Sequence, residues 1–135
     1  MNHKFLALTM AAVLGVALCS CIGTTSEVSV DLGSSDLFTE SDLSDAADAI
    51  KKEISNFEGC TLHSLTYAGD ERSNKEAEYH LSHDIVYDEY AVFDSSFHSP
   101  KKSYGGWTAD TEYTWSWVLG RNDKGAWTVI NYGYC

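Results

Sequence analysis

The segment Tyr113-Thr114-Trp115-Ser116-Trp117-Val118-Leu119-Gly120-Arg121-Asn122-Asp123-Lys124-Gly125-Ala126-Trp127-Thr128-Val129 constrains the architecture more tightly than any other. From Thr111 to Gly120 the residues alternate. Tyr113, Trp115, Trp117 and Leu119 fall on one side, and Thr114, Ser116 and Val118 on the other. That is the pattern of a strand with one buried face. Asn122–Gly125 is a turn by composition, and residues 126–134 form the returning strand of a hairpin. Two registers are open. A type I turn with Gly125 left-handed places Trp127 and Val129 beside Trp115, Trp117 and Leu119, and is favoured because glycine tolerates that conformation. A four-residue loop moves Ile130 and Tyr132 there instead.

Working back from the hairpin, residues 87–97 carry Tyr90-Ala91-Val92-Phe93 at their centre and read as a buried strand. Residues 99–106, with Pro100 and two lysines, read as a loop. Residues 60–67 alternate and form a further strand. Ala68-Gly69-Asp70 ends it, and the charged run 71–81 suits a short surface helix with Ala77, His80 and Leu81 as inner positions. Further upstream, Thr39 and Asp42 make a capping box flanked by Phe38 and Leu43. Leu43, Ala46, Ala47, Ile50, Ile54 and Phe57 recur at helical spacing, so a helix is expected over 40–57, with Gly59 as its stop. The expected class is α+β: one long N-terminal helix packed against a curved antiparallel sheet of about four strands.

The chain opens on Met1-Asn2-His3-Lys4, a short basic stretch, followed by an uncharged run from Phe5 to Leu18. That run is shorter than the ~20 apolar residues of a spanning helix and matches a secretory signal. Leu18-Cys19-Ser20-Cys21 then resembles the lipobox of bacterial lipoproteins. The resemblance implies cleavage before Cys21 and diacylglyceryl transfer to its thiol; Leu18 makes Cys19 the poorer candidate. Two acyl chains hold a protein on a membrane without a transmembrane helix. Residues 1–20 are thus expected to be a lipoprotein signal peptide, 21–35 a lipid-anchored flexible tether, and 36–135 a single domain. Within the tether, Val28 and Val30 alternate and could add a short edge strand.

The 135 residues carry 9 Lys+Arg against 20 Asp+Glu, a formal net charge of −11. This excludes nucleic acid as a partner, because phosphate recognition needs an excess of Lys and Arg. A hydrophobic share of 44% excludes a chain disordered throughout.

Glu58-Gly59-Cys60-Thr61-Leu62, the stretch Trp115–Asn122, and Gly125-Ala126-Trp127-Thr128-Val129 with Tyr132-Gly133-Tyr134 resemble small secreted lipoproteins of Gram-positive-type bacteria. These carry an uncharacterised cystatin-like or NTF2-like domain. The resemblance covers most of residues 38–134 and implies that fold and an extracytoplasmic location, anchored to the cell membrane by lipid on Cys21. The family has no assigned activity.

Several constellations invite chemistry. His80 and His83 could converge on a metal with Asp84 or Glu76, but exposed helix-end histidines are the better reading. Ser82-His83-Asp84 holds the residue types of a triad consecutively, which prevents the alignment a relay needs. His63 and Asp94 could meet across an NTF2-like pocket and move protons. Cys60 and Cys135 could pair outside the cytoplasm, adding ~3–5 kcal/mol if unstrained. Trp115, Trp117 and Trp127 read as core, whereas Trp107, Tyr132 and Tyr134 are the aromatics expected to face a ligand. No residue is assigned a catalytic or metal-binding role, and no cofactor is implied.

The expected function is that of a lipid-anchored cell-surface lipoprotein, a non-catalytic binding or interaction module. Its expected partners are the membrane, through its anchor, and a protein, peptide or glycan ligand. The alternatives are a small enzyme using an NTF2-like pocket with a His/Asp pair, or a purely structural surface protein. A well-formed cavity holding His63 or Asp94 favours the enzyme. A filled interior with Trp or Tyr at the surface favours the module.

Overall fold

The computed structural model describes residues 27–83, 86–102 and 106–134. The signal run, Cys21, Asp84 and Cys135 therefore lie outside the described residues, and with them the lipid site and the Cys60–Cys135 pairing. The elements are β1 (Ser29–Asp31), α1 (Glu40–Ile54), β2 (Thr61–Tyr67), α2 (Asp70–Leu81), β3 (Glu89–His98), β4 (Glu112–Arg121) and β5 (Thr128–Gly133). The strands form a single sheet in the order β1-β2-β3-β4-β5. β1 runs parallel to β2, and every other pair is antiparallel.

The expectation of one long helix on a four-stranded antiparallel sheet of cystatin or NTF2 type is corrected by this arrangement. The molecule is α+β, with helices of 15 and 12 residues and a mixed sheet of five strands. The added strand comes from the stretch read as tether. The short edge strand that the alternation of Val28 and Val30 offered is formed there; all three β1 residues are exposed, and it is held by its backbone pairing to β2. A strand of this kind is set by an available sheet edge rather than by its own side chains.

α1 begins as its sequence dictates. Thr39 accepts from the Asp42 backbone N–H, and Asp42 accepts from that of Thr39. Leu43, Ala46, Ala47, Ile50 and Ile54 are buried against the sheet. The helix stops at Ile54, earlier than expected; the Ser55 hydroxyl donates to the Lys52 carbonyl at 2.6 Å, and residues 55–59 turn toward β2. Gly59 has φ +74°, and a Cβ there would stand 2.8 Å from Pro100. In α2 the buried position is Ser73, 1% exposed, while Leu81 is 69% exposed. The inner face of α2 is narrow because it covers only one end of the sheet.

The hairpin turn places Asp123 (φ 52°) and Lys124 (φ 55°) in the left-handed region, as a type I′ turn requires, and Gly125 closes it by donating to Asn122. The left-handed role expected of Gly125 therefore falls on its two predecessors. Val129 lies opposite Leu119 and Tyr132 opposite Trp117, with a bulge between them. The Trp117 face thus receives Val129, as in the first register, and Tyr132, as in the second, but not Ile130. The bulge turns Ile130 to the opposite face, against Tyr90, Val92 and Val118.

The sheet consequently has two unlike faces. On one, Leu65, Phe93, Phe97, Trp117 and Leu119 are fully buried beneath α1. The other is covered by α2 only around Tyr90, Val92 and Val118.

Candidate functional site

Beyond α2, the second face of β2, β3 and β4 carries three successive rows of polar side chains. Strand register aligns Thr66, Asp94 and Ser116 in the first row, then Ser64, Ser96 and Thr114, then His98 and Glu112. At 3.3–3.4 Å per residue the rows span about 13 Å. The pattern is visible in each strand as a polar residue at every second position, alternating with the aromatic core.

Arg72 reaches over the first row from α2. Its Nη1 donates to both Asp94 carboxylate oxygens at 2.8 Å, and its Nη2 to Ser116 Oγ at 3.0 Å. Ser116 in turn donates to Asp94 Oδ1 at 2.6 Å. α2 is held in place for this by Ser73, whose hydroxyl accepts from the Val92 backbone N–H and meets the Tyr67 hydroxyl at 3.2 Å. Asp70, at the start of α2, accepts from the Tyr67 hydroxyl and the Asp36 N–H. Burial pushes its carboxyl up, but hydrogen bonds from Ser35, Asp36 and Tyr67 outweigh it and hold it below the ordinary carboxylate value. A cleft of about 560 Å³ opens beside this cluster, lined by Arg72, Asp94, Thr114, Ser116, Gly133 and Tyr134.

In the middle row the Ser64 and Ser96 hydroxyls meet at 2.6 Å and Thr114 is exposed, as is Thr66 of the first row. At the far end a bulge between Leu62 and Ser64 brings His63 onto the same face. Its Nδ1 lies 2.9 Å from Glu112 Oε1. His98 places Nδ1 at 2.8 Å from Glu112 Oε2 and Nε2 at 2.8 Å from Asp110 Oδ1. A ring with a carboxylate at each nitrogen is satisfied only when both carry protons, so the geometry is that of an imidazolium site. The hydrogen bonds to Asp110 and Glu112 raise the His98 pKa above its ordinary value. Burial pushes Glu112 up, but its bonds from His98 and His63 outweigh that, and its pKa is lowered.

The residues singled out in the sequence are distributed as follows. Asp94 lines the cleft without an imidazole beside it, and His63 is held two rows away by Glu112, so the two do not form a proton-transfer pair. His80 stacks on Tyr90 with centroids 4.6 Å apart, and His83 stacks on Tyr79 at 4.4 Å. The two rings thus turn to different neighbours. Among the described residues no group of three or more His, Cys, Asp or Glu side chains is arranged to hold a metal ion. Ser82 Oγ lies 3.1 Å from His83 Nδ1, but that nitrogen also lies 2.8 Å from the Tyr79 carbonyl. A proton donated to the carbonyl leaves Nδ1 unable to act as a base toward Ser82. Cys60 is half-buried, and burial pushes its thiol pKa up.

Trp107, Tyr132 and Tyr134 are brought to the opposite face, in one aromatic assembly. Trp107 packs against Phe57, Phe97, Tyr113 and Trp115 with centroids between 5.3 and 5.6 Å apart. Tyr132 stacks on Trp115 at 5.3 Å. Tyr134 is 74% exposed and also borders the polar cleft. Arg72, Ser116, His98, Glu112 and Asp110 were not foreseen. The available signal was the period-two run of polar residues in two neighbouring strands, which marks a face with no layer over it.

Comparison with known proteins gives no matching family model, no similar curated protein and no similar solved structure. Among the described residues no helix is long and apolar enough to cross a membrane.

Proposed function

We propose that the protein is a lipid-anchored extracytoplasmic binding module, held to the bacterial cell membrane through Cys21 and presenting the helix-free face of its sheet to a ligand. The leader and the Leu18–Cys21 sequence support the address. One observation supports the binding role above all others: the charged groups of the open face are already locked to one another. Arg72, Asp94 and Ser116 form a closed set at one end, and His98, Glu112 and Asp110 another. Groups held in this way are preorganised to receive a ligand without further ordering cost. They are poorly placed to gain or lose a proton during a reaction. The interior under α1 is filled by the fully buried Phe93, Phe97 and Trp117.

The test has two arms on the full chain made in a bacterium. Intact mass of the membrane fraction should show residues 1–20 lost and a diacylglyceryl group added, and Cys21→Ser should release the protein from membranes. Detergent-solubilised mature protein should bind isolated cell-envelope material saturably, with binding lost in Arg72→Met and kept in Lys51→Ala on the far side of the molecule. A native product that begins at Met1 overturns the address, and absence of saturable binding overturns the module.

A further inference from the structure

We infer that the ligand of the open sheet face is a neutral saccharide chain, with one sugar ring in the Arg72–Asp94–Ser116 cleft and its neighbours laid across the hydroxyl rows toward His98. This rests on the binding-module reading above and names its ligand class.

Three features lead to it. The first is the kind of polar group displayed. The face carries the hydroxyls of Thr66 and Ser116 in the Asp94 row, and those of Ser64, Ser96 and Thr114 between that row and the far end. Each can donate and accept, and so can every hydroxyl of a sugar. Arg72 and Asp94 supply planar groups that engage two neighbouring hydroxyls at once. Arg72 keeps N–H donors beyond those given to Asp94 and Ser116, and the exposed carboxylate of Asp94 keeps lone pairs.

The second is charge. The Arg72 cation is neutralised by Asp94, and the far end holds Glu112 and Asp110 around one imidazolium. With a chain charge of −11, a polyanion is repelled at every approach. A cationic ligand finds its carboxylates already paired.

The third is the absence of what a peptide needs. β2, β3 and β4 each have a strand on both sides, so their backbone groups are committed to the sheet. An extended peptide adds to a free edge and seats alternate side chains in pockets. Here there is no edge, and the rows contain no apolar pocket. Tyr134 at the cleft border adds an exposed ring of the sort that stacks on the C–H face of a sugar.

The test titrates detergent-solubilised mature protein with cellotetraose, maltotetraose and chitotetraose, against tetragalacturonate and pentalysine as charged controls. At least one neutral tetrasaccharide should bind with Kd below about 1 mM and perturb the NMR signals of Ser96, Thr114 and Ser116. Arg72→Met should weaken it by about tenfold or more, while the variant keeps its thermal unfolding temperature. Thr114→Val, which removes one hydroxyl without touching the ion pair, should weaken it less. No binding by any neutral tetrasaccharide, or preferential binding of either charged control at this face, overturns the inference. If Arg72-dependent binding to envelope material persists in that case, the module reading stands and only the ligand class is wrong. If envelope binding is also absent, both fall.

Discussion

The two faces of the sheet are built from the same strands and share every backbone hydrogen bond, yet they do opposite things. On the α1 side, Phe93, Phe97 and Trp117 are 0% exposed. On the other side their immediate neighbours in sequence, Asp94, Ser96 and Ser116, are hydroxyls or charges: Ser116 bonds Asp94, which Arg72 also holds, and Ser96 meets Ser64. Period-two alternation lets one strand serve a core and a surface at once. The stability of the fold should therefore reside almost wholly on the first face, and recognition on the second. Each variant below tests that division.

The largest effect is expected from Trp117→Ala. This side chain is fully buried, contacts Phe57 and Tyr132, and donates from Nε1 to Ser95 Oγ at 2.7 Å. Its loss should cost about 3–5 kcal/mol in chemical denaturation. A cost below about 1 kcal/mol breaks the comparison.

Next is Arg121, 3% exposed on its side chain, which donates to Asp42 at 2.8 Å and to Glu89 at 2.7 Å and stands 4.3 Å over the Trp127 ring. It ties the start of α1 to the far ends of β3 and β4, and Trp127 reinforces the tie by donating to the Asp42 carbonyl. Burial alone would lower the Arg121 pKa, but hydrogen bonds to Asp42 and Glu89 raise it. Arg121→Met should cost about 2–3 kcal/mol, much of it from the Asp42 carboxylate left without its cation, since Glu89 keeps Lys124. The Arg121 hydrogen bond, joined by the Thr39 N–H, holds the Asp42 carboxyl well below the usual carboxylate range. A lowered folded-state pKa stabilises above the unfolded value of 3.8 and is lost as pH falls below it. Stability of the native chain should thus fall steeply in acid, and the Arg121→Met chain should show a shallower fall. Equal slopes in denaturation series across that range would rule out the linkage.

How far the sequence revealed each face follows from the same physics. The α1 side is legible because burial selects for apolar type at fixed spacing. Leu43 to Ile54 and Tyr113 to Leu119 are recognisable without any partner in view. β1 is only faintly legible, through the alternation of Val28 and Val30, because its residues are all exposed and its strand state is imposed by β2. The polar site falls between these cases. The sequence offers Asp94 as a partner for His63, but its partners come from α2 and β4, 22 residues away on either side. Polar residues pair across a sheet by register, and register depends on bulges such as the one at His63, which no periodicity announces. The aromatics expected to face a ligand keep exposed surface at Tyr132 and Tyr134, 42% and 74%, while the bulge in β5 sets the Tyr132 ring beside Trp117.

On the open face the stability effects should be small. Arg72 and Asp94 are 40% and 49% exposed on their side chains, and an ion pair in that setting is worth about 0–1 kcal/mol. Arg72→Met should therefore leave the denaturation midpoint nearly unchanged while removing envelope binding. A loss of stability comparable to that of Trp117→Ala would mean that the face is structural and the division false. The finest test is at His98, whose side chain is 35% exposed and paired at the rim of the sheet, so its value is diagnostic rather than energetic. Its pKa is raised by Asp110 and Glu112. A raised folded-state pKa stabilises below the unfolded value of 6.5 and is lost as pH climbs through the folded one. Glu112 works in the other direction, so the charged cluster persists from below the ordinary carboxylate value to above the ordinary imidazole value. Following the His98 ring protons by NMR should place its midpoint above 6.5, and Asp110→Asn and Glu112→Gln should each lower it. A midpoint at or below the ordinary value would mean that the far end of the face is not locked, and that preorganisation extends no further than Arg72.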